Sequence, residues 1–291
     1  MERKKLKDLT IRDNFMFTAV MSEEANCKPF LEMLLGIEID RIEVSYEKSF
    51  IHNPEFKGIR LDVYARDEQN TRYDIEMQVG REHLGKRIRY YHGEMDRDLL
   101  RAGYPYESLP ATYVIFICNF DPFGQHKYCY IFENRCLQDF QLPMGDEAGS
   151  IFLSTVGENP GEIPEDLRAF LDFMKEDLPD RDIPAQNAYI RQLQQSMNKI
   201  KQDGEMERRY MFIHDMRREA KAEGKAEGKA EGILTAKRQA VLELLEDYGT
   251  ISDSLCSRIM SESDHDRLKA MLKAAAKAES IADFENLITN L

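Results

Sequence analysis

No stretch of the chain approaches the roughly 20 consecutive apolar residues that cross a bilayer, so a membrane protein is not expected. The basic start, MERKKLKDLTIRDNF, leads into no apolar h-region and does not read as a signal peptide. Cysteine is scarce and odd in number: Cys27, Cys118, Cys129, Cys136 and Cys256, none spaced as C-x-x-C. Neither a disulfide framework nor a zinc site follows from that. Reduced thiols in a cytoplasmic protein are the simplest expectation. The six histidines show no H-x-x-x-H or other ligand spacing, so none is assigned to a metal or to catalysis. An excess of positive charge is missing too, with 40 Lys and Arg against 53 Asp and Glu and a net charge of −13. Such a chain does not coat long nucleic acid.

What the chain has is 291 residues, enough for one sizeable core and a smaller appendage. Residues 9–21 and 27–36 read as short helices, the second stopped by Gly36. Residues 41–49 alternate Ile42, Val44 and Tyr46 with polar residues, the period of a strand. A loop over 50–58 carries Pro54 and Gly58. Two more strands, 59–66 and 72–79, flank the turn-prone DEQN. A long helix is expected over 82–103, closed by Gly103. ATYVIFICNF at 111–120 suits a strand buried on both faces. Further strands are expected at 128–132 and 150–154. The order predicts an α/β sandwich around a mixed central sheet flanked by helices.

Prolines 160, 164, 179 and 184 mark a transition around one amphipathic helix, PEDLRAFLDFMKED. Beyond Ala185 the pattern is helical. Residues 219–232, EAKAEGKAEGKAEG, repeat every four residues. On a helix the Lys and Glu stripes lie about 200° apart. No Glu meets a Lys at i+3 or i+4 inside the repeat, so intrahelical ion pairs do not support it. It reads as a marginal, solvated helix or a flexible spacer. The boundaries expected are a core at 1–157, a helical extension at 158–218, the spacer at 219–232 and a small helical module at 233–291.

The stretch with chemistry is 58–79, GIRLDVYARDEQNTRYDIEMQV. On the second of its strands Tyr73, Ile75, Met77 and Val79 share one face, and Asp74, Glu76 and Gln78 share the other. Asp62 joins them if the hairpin register sets it opposite, which the sequence leaves open. Two carboxylates, Asp62 and Glu76, suit a hard divalent ion beside a phosphodiester. The Met77 backbone carbonyl is a candidate third ligand, and Gln78 a partner for water or a phosphate oxygen. Asp74 is expected to be peripheral. A solvated edge strand would carry the same D-I-E-M-Q alternation. Between Arg60 and Arg101 nine basic residues balance nine acidic ones, and Arg81, Lys86, Arg87 and Arg89 form a locally basic start to the helix that follows. These, with Tyr91, are candidate DNA contacts. The competing expectation has Tyr90 or Tyr91 packed on the sheet and the arginines solvated.

Several stretches resemble the PD-(D/E)XK nuclease superfamily, and more narrowly the recombination-promoting nuclease (Rpn) and transposase family. They are RDNFMFTAVM, LDVYARDEQNTRYDIEMQ, KRIRYYHGEMDRDLLRAGYPYESLPATYVIFI and FDPFG at 120–124. The likeness covers roughly residues 8–215, with DIEMQ and the following RYY as its most specific part. It implies a restriction-endonuclease-like core and a metal-dependent DNA endonuclease of recombination or mobile elements. Mg²⁺ is the implied cofactor, with Mn²⁺ as substitute, and Asp62 and Glu76 hold it. The superfamily's lysine is Gln78 here, and Leu61 stands where its leading proline would be. An acid on the first helix completes some sites of this kind, which makes Asp13 a candidate ligand.

The competing function is a decayed nuclease fold that binds DNA or protein without cleaving. A homo-oligomer joined through the C-terminal helices is a further expectation, with one chain's Lys stripe against another's Glu stripe. A chain truncated near residue 215 is then expected to elute as a smaller oligomer in size-exclusion chromatography. An unchanged oligomeric state would remove that idea.

Overall fold

The structure, a computed structural model, describes residues 4–50, 58–78, 80–81, 83–175 and 187–289. Pro54, Val79, Glu82, Pro179 and Pro184 lie outside the described residues. The chain divides into two compact units, Met1–Tyr210 and Met211–Leu291.

The first unit opens with a 3-10 turn at Leu6–Asp8, then helices α1 (Asn14–Met21) and α2 (Glu24–Leu35). Strands β1 (Ile42–Phe50), β2 (Ile59–Asp67) and β3 (Arg72–Gln78) follow, then helix α3 (Leu84–Leu99). Strands β4 (Thr112–Cys118), β5 (Cys129–Phe132) and β6 (Ala148–Ser154) complete the sheet. Helices α4 (Glu165–Lys175) and α5 (Ala188–Gln202) come next. The sheet has six strands in the order β1-β2-β3-β4-β6-β5. It is mixed: β1, β2 and β3 are antiparallel neighbours, β3, β4 and β6 run parallel, and β5 returns antiparallel on β6. Among the described residues no helix is long and apolar enough to cross a membrane.

Several elements match the sequence pattern for a physical reason. Gly36 stops α2 in the left-handed region at φ 67°, where a side chain would be strained. Residues 114–118 of β4 are buried completely, as a strand with neighbours on both sides and helices on its faces requires. Three helix boundaries differ from expectation, the start of α2 among them, at Glu24 rather than Cys27. α1 begins at Asn14 rather than near Leu9, because Asp13 folds back: its Oδ2 accepts from the Thr10 N–H at 2.8 Å. α3 ends at Leu99, four residues short of Gly103, with Leu100 already extended.

The β2–β3 hairpin is pinned at its turn. Asp67 Oδ1 accepts from the Thr71 N–H at 2.8 Å, and Asp67 Oδ2 from the Tyr73 hydroxyl at 2.7 Å. These bonds hold Val63 opposite Ile75 and Tyr64 opposite Asp74. Helix α3 covers the sheet with Leu84, Ile88, Tyr91 and Met95, packed in one cluster with Leu61, Val114, Phe116 and Phe152. Tyr91 meets Phe116 edge-on at 5.9 Å, so Tyr91 is the tyrosine that packs while Tyr90 is exposed.

Helix α6 (Gly204–Glu246) begins in the first unit and ends in the second. Residues 219–232 are helical within it and exposed throughout. In the second unit α7 (Asp253–Ser261), α8 (His265–Ala275) and α9 (Ile281–Ile288) share a core built on Val241, Leu245, Ile259, Leu268, Phe284 and Ile288. Each of these three helices is capped by a side-chain oxygen, from Ser252, Asp264 and Ser280 respectively.

Across the sheet, Tyr73, Tyr113 and Gly149 lie in one row. The two rings stack at 5.8 Å, and a Cβ on Gly149 would come within 2.4 Å of the Tyr113 ring. Gly149→Ala is therefore expected to destabilise the protein by about 1–3 kcal/mol. Thermal or urea unfolding checks this, and a wild-type midpoint would contradict the packing.

Candidate active site

The site forms where the first turns of α1 and α3 meet β2 and β3. The antiparallel ladder ends at Val63–Ile75, and the next step brings Asp62 level with Glu76. There the Asp62 N–H donates to Glu76 Oε1 at 3.0 Å. The register left open by the sequence therefore puts Asp62, Glu76 and Gln78 together. All three are buried, at 7 %, 2 % and 3 % exposure. The alternation of β3 is not that of a solvated edge, because β3 lies between β2 and β4 and is buried on both faces.

Glu76 is held from two sides. Its Oε2 accepts from Gln78 Nε2 at 3.1 Å and from the Arg87 guanidinium at 2.9 Å. A second Arg87 nitrogen donates to Gln78 Oε1 at 2.6 Å. The Tyr91 hydroxyl accepts from Arg87 twice, at 2.9 and 2.7 Å. Arg87 and Tyr91 are four residues apart and so share one helix face. That spacing was readable in the sequence, but what it faced was not.

Asp74 is not peripheral. It is fully buried, and neither carboxylate oxygen has a hydrogen-bond partner among the described residues. Burial, reinforced by Glu76 and Asp62, lifts its pKa well above the usual carboxylate range. Burial and the Asp62 charge also push Glu76 up to about 8, against the lowering pull of Arg87.

The remaining candidates separate. Asp13 has its oxygens taken by Thr10 and by Lys4 at 3.1 Å. The first helix reaches Asp62 through the next residue instead: Asn14 Nδ2 donates to Asp62 Oδ2 at 2.6 Å. Asn14 was missed because an amide after an acid carries no signal of its own. Asp13, Asn14, Met77 and Gln78 line a cavity of about 280 Å³ with Lys4, Arg12 and Asn119. The Gln78 carbonyl accepts from the Asn119 N–H on the β4 side at 3.4 Å. Strand alternation therefore turns the Met77 carbonyl to the β2 side, where Asp62 lies. Lys86 and Arg89 are exposed on α3, and exposed Arg81 lies over the Phe120 ring at 4.8 Å. Arg87 and Tyr91 do not stand with them; one points into the carboxylates and the other into the core.

With this geometry in view, one comparison decides the family. A family model described as PD-(D/E)XK nuclease family transposase matches residues 11–223. The chain belongs to that family. No curated protein and no solved structure matches the chain. The six-stranded mixed sheet with its flanking helices is the PD-(D/E)XK α/β fold. Membership supports a nuclease-type function with DNA as substrate, and PD-(D/E)XK nucleases generally use divalent metal ions.

The residues present fit such an ion. The donors around Glu76 are hard oxygens, and two carboxylates with a backbone carbonyl match what Mg²⁺ takes from a protein. Asp74 lies beside them fully buried, with both oxygens unpartnered among the described residues and its neutral form favoured by burial. Among the described residues, no group of three or more His, Cys, Asp or Glu side chains is arranged around a common metal position. An ion held here would have two carboxylates and a carbonyl from the protein and would take its remaining ligands from water.

The raised Glu76 pKa has a consequence with a definite sign. The unfolded chain ionises this carboxyl near its ordinary 4.5, while the fold keeps it protonated to about 8. Between those values the unfolded state gives up a proton that the native state retains, so stability falls as pH rises through the window. Glu76→Gln is neutral in both states. In metal-free buffer its Tm is expected to fall less than the wild type's between about pH 5 and about pH 8. Equal falls would mean that Glu76 is ionised in the fold.

Proposed function

We propose that the protein is a metal-dependent DNA endonuclease that hydrolyses phosphodiester bonds in DNA recombination or mobile-element activity. The observation that carries this is the burial of Asp62 and Glu76 side by side, in a chain of a nuclease family. Asp62, Glu76 and the Met77 carbonyl would hold Mg²⁺, or Mn²⁺ in its place. When bound, the ion supplies charge stabilisation at the phosphate and a more acidic water. Asn14 orients Asp62, and Gln78 orients Glu76, through the bonds described. Gln78 acts on Glu76 and Arg87 in this reading rather than on water directly. Arg81, Lys86 and Arg89 supply backbone contacts to DNA from the exposed side of α3 and the segment before it. A cytoplasmic location and assembly through the C-terminal helices belong to the same proposal.

One observation favours a second reading, a decayed nuclease fold that binds DNA or protein. Arg87 already bonds Oε2 of Glu76, a proposed metal ligand. Supercoiled plasmid with Mg²⁺ or Mn²⁺ separates the two. The wild type is expected to nick or linearise it, and Asp62→Ala and Glu76→Ala to lose at least about 100-fold in rate. Equal cleavage by all three proteins would sink the nuclease reading. No cleavage by any would favour the binding module.

A further inference from the structure

Gln78 occupies the place where the superfamily carries a lysine, and a neutral amide cannot stabilise charge on a phosphate. We propose that Arg87 brings that positive charge to the scissile phosphate from helix α3, and that Gln78 is the residue that aims it. This rests on the nuclease reading above.

The geometry separates Arg87 from an ordinary buried counter-ion. A guanidinium has five N–H donors in a rigid fork. Four are committed: two to the Tyr91 hydroxyl, one to Gln78 Oε1 and one to Glu76 Oε2. The fifth, on the nitrogen that bonds Gln78, has no partner among the described residues. The side chain is 40 % exposed while Glu76 is 2 % exposed, so the guanidinium forms the open edge of a buried carboxylate site. The rings of Tyr91 and Phe116, at 5.1 and 5.5 Å, hold its plane. An arginine restrained by Gln78, Tyr91 and two ring faces, with one donor left at the open edge, is prepared to meet a phosphate oxygen while those supports stay in place.

The same bonds account for glutamine at position 78. Its amide is amphoteric: Oε1 accepts from Arg87 and Nε2 donates to Glu76. A lysine there would have no acceptor for Arg87 and would set an ammonium against a guanidinium. Glutamine at 78 and arginine at 87 thus form one unit in which the cation comes from the helix and the strand residue positions it. Gln78 is on this argument a positioning residue, and Arg87 the catalytic one.

The test uses the full chain, plasmid nicking with Mg²⁺, and binding of a random-sequence duplex oligonucleotide in EDTA over a range of salt. Arg87→Ala is expected to lower kcat by about 100-fold. It should also reduce the salt slope of duplex binding by about one, as loss of one phosphate contact does. Added guanidinium ion should restore part of the lost rate. Arg87→Lys should keep the salt slope but recover little of kcat, because an ammonium cannot bond Gln78, Tyr91 and a phosphate in one plane. Gln78→Lys, which recreates the superfamily motif, should lower cleavage rather than raise it. Thermal melts of each variant identify any loss of folding, and Arg87→Lys and Gln78→Lys still decide the matter if Arg87→Ala unfolds. An unchanged kcat and salt slope in Arg87→Ala, or full activity in Gln78→Lys, would overturn the proposal. Retained cleavage in Asp62→Ala and Glu76→Ala would instead overturn the nuclease reading, whatever Arg87 does.

Discussion

The interaction on which this site depends is the bond between the Arg87 guanidinium and the buried Glu76 carboxylate. Carboxylates taken out of water are costly unless protonated, paired or bound to a metal. Here the first two of these responses meet within one strand pair. Burial and the Asp62 charge push Glu76 up to about 8 while it faces a guanidinium, and complete burial holds Asp74 well above the usual carboxylate range. A protein built only for stability would have little reason to keep Asp62, Asp74 and Glu76 together in its interior. Perturbed carboxylates gathered at one place are the usual mark of a functional site.

The fold exists, in part, to make that arrangement rigid. The hairpin turn closed by Asp67 sets the register, and register decides which face every side chain takes. Interior position in the sheet then buries the β3 carboxylates that an edge strand would have left in water. Two helix starts reach the cluster from separate parts of the chain, α1 with Asn14 and α3 with Arg87. The second unit has its own core and its own capped helices. In the repeat at 219–232, alanine and glutamate keep a helix against the cost of three glycines, although no i+4 ion pair assists.

Much of the fold was legible because periodicity is local. The alternation of β1, β2 and β3, the continuous apolar run of β4 and the glycine stop of α2 each follow from a few neighbouring residues. Helix ends were less legible. The start of α1 depends on a side chain folding back to Thr10, and the end of α3 on Leu100 turning extended well before a glycine. The nature of the β3 face was undecidable from its residues, since D-I-E-M-Q alternates equally well in a solvated strand. Only the neighbours of β3 distinguish the two.

The sequence by itself determined the kinds of element, their order and the types of residue available for chemistry: two carboxylates and a glutamine on facing strands, then a basic helix. Those are properties of short windows, set by side-chain period and backbone preference. Tertiary structure alone decided which of these residues act on one another. It lifted Asp74 from the periphery to full burial, gave the first helix's contact to Asn14 instead of Asp13, and took Arg87 out of the basic helix surface into the carboxylates. Those outcomes depend on burial and on contacts between residues far apart in the chain. Desolvation, which shifts the pKa values, is a property of the packed interior and has no counterpart in a linear pattern.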